Sequence, residues 1–168
     1  SKSKINLENE IEIIKSLPII KNVIKNLNLK LAVFEIGDVM QSLVVRYPFK
    51  IALNTSIDSL ENLTYKLNET DKGFEIIDYE NEYRSYSFNG TNSSKYNHDL
   101  PFEILNFNKN LFSERKCDGV EIRFLSENVL VDKLKRSLTI SKVGKESDII
   151  ELNFSSANKE YSKNFLNE

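Results

Sequence analysis

Residues 120–154, VEIRFLSENVLVDKLKRSLTISKVGKESDIIELNF, change their apolar period twice, from two to that of a helix and back. Residues 120–124 alternate apolar and polar side chains, which is typical of a strand with one buried face. Residues 126–136 begin with a serine that can cap a helix, and apolar side chains then recur at helical spacing. The alternation returns in residues 138–140 and 148–154. This succession of a strand, a helix and two strands predicts an α+β fold class.

The residues before 120 show the same two kinds of apolar periodicity, that of helices and that of strands. Amphipathic helices are predicted over residues 7–14 and 17–27, with Ser16 at the junction between them. Short strands follow, separated by turn signals such as Asn89-Gly90, and we expect them to pair mostly antiparallel. The polar residues 89–99 predict a mobile loop. The predicted strands cover residues 29–34, 49–53, 63–67, 74–77, 83–88 and 102–104, and a final helix is predicted from Ser156 or Asn158.

The composition is that of a globular chain without a basic surface. The 168 residues include 40% hydrophobic and 29% charged side chains, with a net charge of −2. Binding to a phosphate backbone needs a basic excess or a basic stripe, so nucleic acid is not an expected partner. No apolar run approaches the roughly 18 residues of a membrane span. We expect both ends, at Ser1-Lys2-Ser3-Lys4 and at Asn167-Glu168, to be internal to a longer protein.

Few residues suit catalysis or metal binding. His98 is the single histidine and Cys117 the single cysteine, and neither has a partner at a spacing typical of metal ligands or of a nucleophile and its base. The five glycines are isolated and fit turns rather than a phosphate-binding loop. We therefore expect no catalytic residue, no metal and no cofactor, and we do not expect this chain to be an enzyme.

Two stretches resemble a known family. Residues 10–37, EIEIIKSLPIIKNVIKNLNLKLAVFEIG, give a helix, a Lys-Ser junction, a second helix and a Leu-Asn-Leu turn into a strand. Residues 138–167, LTISKVGKESDIIELNFSSANKEYSKNFLN, give a strand, a small basic loop, a second strand and a helix with Phe-Leu-Asn. Their order resembles the periplasmic domains of polysaccharide co-polymerases, the chain-length-determinant family. Residues 47–54, YPFKIALN, are similar to a Pro-Phe strand of the longer members, many of which carry a cytoplasmic tyrosine-kinase domain.

The resemblance implies the periplasmic portion of a bacterial inner-membrane protein. Such a protein regulates the chain length and export of capsular or exopolysaccharide through oligomerisation. The implied partners are further copies of the chain, the polysaccharide polymerase or export machinery, and the nascent polysaccharide. The implied architecture is a small mixed-sheet base with packed helices, residues 1–45 and 126–168, and a mostly antiparallel β-rich insertion, residues 46–125.

Two sets of side chains are candidate contacts. The first set combines flat rings with a guanidinium, which suits sugar rings and acidic groups, although ordinary strand composition is the favoured explanation. It comprises Tyr79, Tyr83, Arg84 and Tyr86. The second set could meet an acidic neighbour between copies, or could be a solvated basic loop. It comprises Arg136, Lys142 and Lys145.

Two other functions stay open at this point. The aromatic set would suit a periplasmic glycan-binding module. A hydrolase with dispersed carboxylates ranks below the co-polymerase and the glycan-binding module, because no feature of the sequence favours a carboxylate pair. It stays open because the separation of two carboxylates is a property of the folded chain. The sequence also lacks tryptophan, an aromatic platform common in sugar-cleaving clefts.

Overall fold

The chain divides into two compact units. The computed structural model describes residues 7–37, 41–44, 46–144 and 149–155. The base unit comprises residues 1–29 and 127–168, and the central unit comprises residues 30–126.

Both units are built from short elements. The helices are α1 (Leu7–Ile14), α2 (Leu17–Asn26), α3 (Lys109–Ser113) and α4 (Glu127–Ser137). The strands are β1 (Leu31–Ile36), β2 (Gln41–Val44), β3 (Lys50–Leu53), β4 (Thr64–Thr70), β5 (Gly73–Asp78), β6 (Arg84–Asn89), β7 (Phe102–Leu105), β8 (Val120–Phe124), β9 (Leu138–Lys142) and β10 (Ile150–Phe154). Every strand pair among the described residues is antiparallel, which confirms the predicted α+β class.

Helices α2 and α4 pack against each other in the base unit. Ile20 and Ile24 of α2 are 2% and 1% exposed, because side chains four residues apart share one helical face. An ion pair of 2.7 Å between Lys21 and Glu127 joins the two helices. The buried side chains of α4 are Leu130, Val131 and Leu134.

Strands β9 and β10 form an antiparallel pair that packs beside α1 and α4. Leu138 and Ile140 of β9 are buried, since alternate side chains of a strand point to the same face. Ser16 precedes α2 in an extended conformation and a proline occupies the first turn of α2, so the predicted junction between the first two helices is confirmed.

The central unit is organised around a six-stranded sheet in the order β2-β1-β8-β4-β5-β6. Alternation along the strands makes one face of this sheet apolar, and we call it the inner face and its opposite the outer face. The buried side chains of the inner face include Val33, Tyr65, Leu67, Phe74, Ile76, Phe88, Val120, Ile122 and Phe124.

Strands β3 and β7 pair as a second layer that packs on the inner face. Phe102 of β7 stands edge-on to Tyr65, with ring centroids 4.9 Å apart. Phe107, which follows β7, lies 4.9 Å from Phe74. Aromatic rings therefore fill the space between the two layers.

The position of β1 differs from the prediction that residues 1–45 form part of the base. β1 pairs with β8, with Val33 opposite Ile122, and therefore lies in the central unit. Ala32 and Val33 are both buried, so both faces of β1 are covered. A strand buried on both faces carries no alternation that would assign it to one layer. In the described part of the base, the strands form the antiparallel pair β9–β10 rather than the expected mixed sheet.

The polar residues 89–99 differ from the mobile loop that their composition predicts. Ser93 is fully buried, its amide donates to the carbonyl of Ile104 at 2.9 Å, and its Oγ accepts from the amide of Ile104 at 2.8 Å. The short helix α3, whose N-cap is Asn108, was not predicted either. The helix predicted from Ser156 or Asn158 lies outside the described residues.

Candidate functional site

A five-residue turn joins β5 to β6 and carries two residues of the predicted aromatic set. Asp78 and Arg84 close the turn as opposite residues of the two strands. The carboxylate of Asp78 accepts from the amides of Glu80 and Asn81 at 3.0 and 3.2 Å. The amide of Arg84 donates to the carbonyl of Asn81 at 2.9 Å. These bonds fix the conformation of the turn.

Two successive residues of this turn adopt left-handed backbone angles. The φ angles are +51° at Glu82 and +57° at Tyr83. Side chains with a Cβ disfavour this region by roughly 1–2 kcal/mol per residue. Glycine or asparagine is the usual choice in such turns. The turn therefore holds Tyr83 in place at a cost in backbone energy, and such strain is often found at functional sites.

Tyr83 and Tyr79 form an aromatic pair at this end of the sheet. Tyr83 is 70% exposed, and its ring centroid lies 5.5 Å from that of Tyr79 at an interplanar angle of 59°. Burial of its ring, and then the charge of Glu121, raise the pKa of Tyr79. The pair presents one exposed and one partly covered ring, a geometry that suits contact with the flat face of a sugar.

Arg84 and Tyr86 do not share a surface with that pair. Alternation places them on the inner face with Phe88, whereas Tyr79 lies on the outer face. The guanidinium carbon of Arg84 lies 5.0 Å from the ring centroid of Tyr86, and its Nη1 lies 3.2 Å from Oδ2 of Asp99. The four predicted residues thus form two pairs on opposite faces of the sheet.

The outer face carries a charged cluster that the sequence analysis did not single out. Nε of Arg123 donates to Oε2 of Glu121 at 2.7 Å, and Nη2 of the same guanidinium makes a second bond to that carboxylate. The guanidinium carbon lies 4.5 Å above the ring centroid of Phe34. Glu121 and Arg123 are two residues apart in a strand whose other face is apolar. This spacing is the feature of the sequence that could have predicted the pair on the outer face.

The predicted basic set is exposed where it is described. Arg136 lies near the end of α4, and its Nε donates to the carbonyl of Asp132 at 3.1 Å. Nζ of Lys142 lies 3.8 Å from Oε1 of Glu8, and both side chains are largely exposed, so solvent weakens their attraction. Lys145 lies outside the described residues.

The histidine contacts the aromatic core, and the cysteine borders a surface depression. Nδ1 of His98 accepts from the amide of Leu100 at 3.3 Å, and its ring lies 5.2 Å from that of Phe88. Cys117 lines a depression of about 300 Å³ together with Asn68, whose Oδ1 is buried and unpaired. Within the described residues, no three histidine, cysteine or acidic side chains come close enough to hold a metal ion.

No helix in the described part of the chain has the length and apolar character needed to cross a membrane. A comparison of the chain with protein-family models finds no match, and a comparison with curated proteins finds none.

Proposed function

We propose that this chain is the periplasmic portion of a bacterial inner-membrane polysaccharide co-polymerase. Its role is to self-associate and to dock the polymerase or export machinery, which sets the chain length and export of a surface polysaccharide. The observation that carries the proposal is which segments of the chain form the base unit. Its helices α1 and α2 and its strands β9 and β10 come from the two stretches that resemble the family, 10–37 and 138–167.

Exposed apolar side chains on the base unit support a role in self-association. Most of the exposed large apolar side chains among the described residues lie on the base unit, and such side chains mark a contact site where they form one contiguous patch. Ile19 of α2 is 42% exposed and Val129 of α4 is 60% exposed. The others on the described part of the base are Ile13, Leu17, Val143, Ile149 and Leu152.

The proposal is tested first by genetics in the bacterium that carries the gene. The intact gene is expected to encode a membrane span on each side of this portion. Deletion of the gene is expected to shorten or abolish the long-chain fraction of the surface polysaccharide, as measured by gel separation, and the returned gene should restore it. An unchanged size distribution after deletion overturns the proposal.

Charged substitutions then test whether the base carries the contact. Ile19→Glu and Val129→Glu replace exposed side chains, so the fold should persist while the oligomer extracted from membranes dissociates. The matched control is Leu111→Glu in α3 of the central unit, where the native leucine is 51% exposed. If all three variants retain the oligomer, the base is not the contact surface.

A periplasmic glycan-binding module is the second candidate function. The strained turn that displays Tyr83 beside Tyr79 favours it. Under this proposal, Tyr83→Ala would abolish binding of an oligosaccharide while self-association stays intact. Retained binding after this substitution would count against a glycan site at the turn.

A further inference from the structure

Three loops of the central unit border an open surface cavity of about 480 Å³. It lies at the opposite end of β5 from Tyr83, and no predicted site includes its residues. We call it the loop cavity. Its walls are the turn between β4 and β5, residues 71–73, the two residues after β6, 90–91, and the residues from 106 to 110 that lead into α3.

Hydrogen bonds between the loops fix the walls of the loop cavity. The amide of Gly90 donates to the carbonyl of Lys72 at 2.8 Å. The amide of Phe107 donates to the carbonyl of Thr91 at 2.9 Å. Nζ of Lys109 donates to the carbonyl of Asp71 at 3.0 Å. Each loop is thus bonded to another, and a ligand would meet a pre-formed site with little ordering cost.

The two glycines of the wall differ in their surroundings. A Cβ at Gly73 would lie 2.2 Å from the carbonyl oxygen of Phe88, so close backbone packing excludes any side chain there. Gly90 has a φ of +92°, and nothing lies within 4 Å of the position of its missing Cβ. The backbone of Gly90 therefore borders open space, which leaves it accessible to a ligand.

Polar side chains without a hydrogen-bond or ionic partner among the described residues surround the cavity. They supply one carboxylate, one hydroxyl and two carboxamides, all on exposed residues. These groups belong to Asp71, Thr91, Asn106 and Asn110. By contrast, the carboxamide oxygen of Asn108 is occupied, because it accepts from the amide of Leu111 at 3.1 Å and caps α3.

The charged residues that line the cavity are Asp71, Lys72 and Lys109, and Glu69 beside Lys109 offsets the single positive excess. The local charge narrows the class of ligand. Lys72 adjoins Asp71, and Nζ of Lys109 lies 3.5 Å from Oε1 of Glu69. A polyanion would need a positive excess, which is missing here. A divalent cation would need several oxygen ligands with more negative charge, and Asp71 is the single carboxylate among the described lining residues. A neutral ligand rich in hydroxyl groups matches a mixture of donors and acceptors.

We propose that the loop cavity binds a neutral saccharide segment through Asp71, Thr91, Asn106 and Asn110. Phe107 is 2% exposed, so its buried ring offers no stacking platform and hydrogen bonds must provide the recognition. We therefore expect a dissociation constant on the order of 1 mM. This site goes beyond the proposed function and does not depend on it.

Titration of the whole 168-residue chain with cellotetraose, a neutral glucose oligomer, tests the site by amide NMR. Saturable shifts are expected in the amides of residues 71–73, 90–91 and 106–110. Asp71→Asn and Asn110→Ala should each weaken binding roughly fivefold, as expected for one lost hydrogen bond. The control Asn97→Ala replaces an exposed asparagine away from the cavity and should leave the affinity within twofold.

Three outcomes overturn the site. The first is the absence of saturable shifts at tenfold the expected dissociation constant. The second is shifts confined to the turn of Tyr79 and Tyr83, which would support the second candidate function instead. The third is binding of an oligogalacturonate alone, which would assign the cavity to acidic sugars. Self-association is measured separately on the membrane-extracted protein, so failure here and failure of the proposed function are distinguishable.

Discussion

Nζ of Lys30 lies 2.6 Å from Oε1 of Glu61, and the whole lysine is 8% exposed. The same ammonium lies 2.6 Å from Oδ1 of Asp58. Burial alone would lower the pKa of Lys30, but its bonds to Asp58 and Glu61 outweigh this effect and raise the pKa. This ammonium links the start of β1 to the 3₁₀ turn at Ile57–Leu60.

Replacing Lys30 by methionine should lower the free energy of unfolding by about 1.5–3 kcal/mol. The substitution retains most of the side-chain volume but removes the hydrogen bonds of the ammonium to Asp58 and Glu61, and hydrogen bonds to charged groups contribute about this much. Urea unfolding at pH 7 measures the change. Lys50→Met, an exposed lysine in β3, is the control and should change the stability little. Equal effects of the two substitutions would contradict the role of the ion pair.

Acid should remove part of the stability through Asp58. The hydrogen bond from Lys30 lowers the pKa of Asp58. A carboxyl with a lowered pKa in the folded state contributes stability that is complete above its unfolded pKa of about 4 and is lost as the pH falls through the lowered value. Urea unfolding between pH 5 and pH 2 should show this loss, and Asp58→Asn should flatten it. The control is Glu114→Gln, which should leave the pH dependence of the free energy of unfolding unchanged. If Asp58→Asn also leaves it unchanged, Asp58 is not responsible for the loss of stability in acid.

Alkaline pH should lower the free energy of unfolding through ionisation of Tyr65. Burial, followed by the charge of Asp78, raises the pKa of Tyr65 to about 12. Because the folded pKa is above the unfolded value of about 10, the contribution is complete below pH 10 and is lost as the pH rises toward 12. The loss amounts to about 2–3 kcal/mol, and Tyr65→Phe should abolish it. Denaturation at pH 9 and pH 11.5 measures it, with the exposed Tyr83→Phe as the control. If both variants behave alike, Tyr65 is not the responsible group.

Gly73→Ala should be one of the most damaging small substitutions in the central unit. The new Cβ would approach the carbonyl oxygen of Phe88 to 2.2 Å and the amide nitrogen of Gly90 to 2.8 Å. Backbone atoms in a sheet cannot move away freely, so we expect a loss of about 3 kcal/mol or more. Gly144→Ala is the control, because that residue has open space and only a φ of +87° to oppose a side chain, which costs roughly 1–2 kcal/mol. Thermal unfolding compares them, and equal losses would refute the steric argument.

Glu82→Asn should stabilise the protein by about 0.5–1 kcal/mol. Glu82 has a φ of +51°, and asparagine tolerates this region better than glutamate. The control Glu80→Asn changes the same turn at a residue without positive φ. Chemical unfolding at pH 7 measures both variants. A variant no more stable than the native chain would show that the turn is not strained at Glu82.

The strands and helices could be read from the sequence because their periods are clear. Val120 to Phe124 alternates without a break, and every second side chain reaches the inner face. The location of β1 could not be read, because Ala32 and Val33 are both buried and a doubly covered strand has no preferred face. The burial of Ser93 could not be predicted either, because a serine in a polar stretch is usually exposed. In the fold its hydroxyl oxygen accepts a hydrogen bond from the amide of Ile104.

The candidate site was less predictable than the fold. Proximity in sequence suggested one aromatic surface, whereas alternation divides Tyr79 and Tyr86 between two faces of the sheet. The loop cavity depends on contacts across distant segments, such as the bond from Gly90 to Lys72. The proximity of these loops cannot be predicted from single residues or from local periodicity, because it depends on the order in which the strands pair.

The amide of Leu125 donates to the carbonyl of Lys30 at 2.7 Å, next to the β1–β8 pairing of Leu31 with Phe124. The polypeptide therefore enters and leaves the central unit through neighbouring backbones. A segment whose two ends are adjacent can be lengthened, shortened or exchanged while the backbone of the flanking segments stays the same. A chimaera joined at Lys30 and Leu125 should therefore exchange the central unit while the flanking segments keep their own sequence.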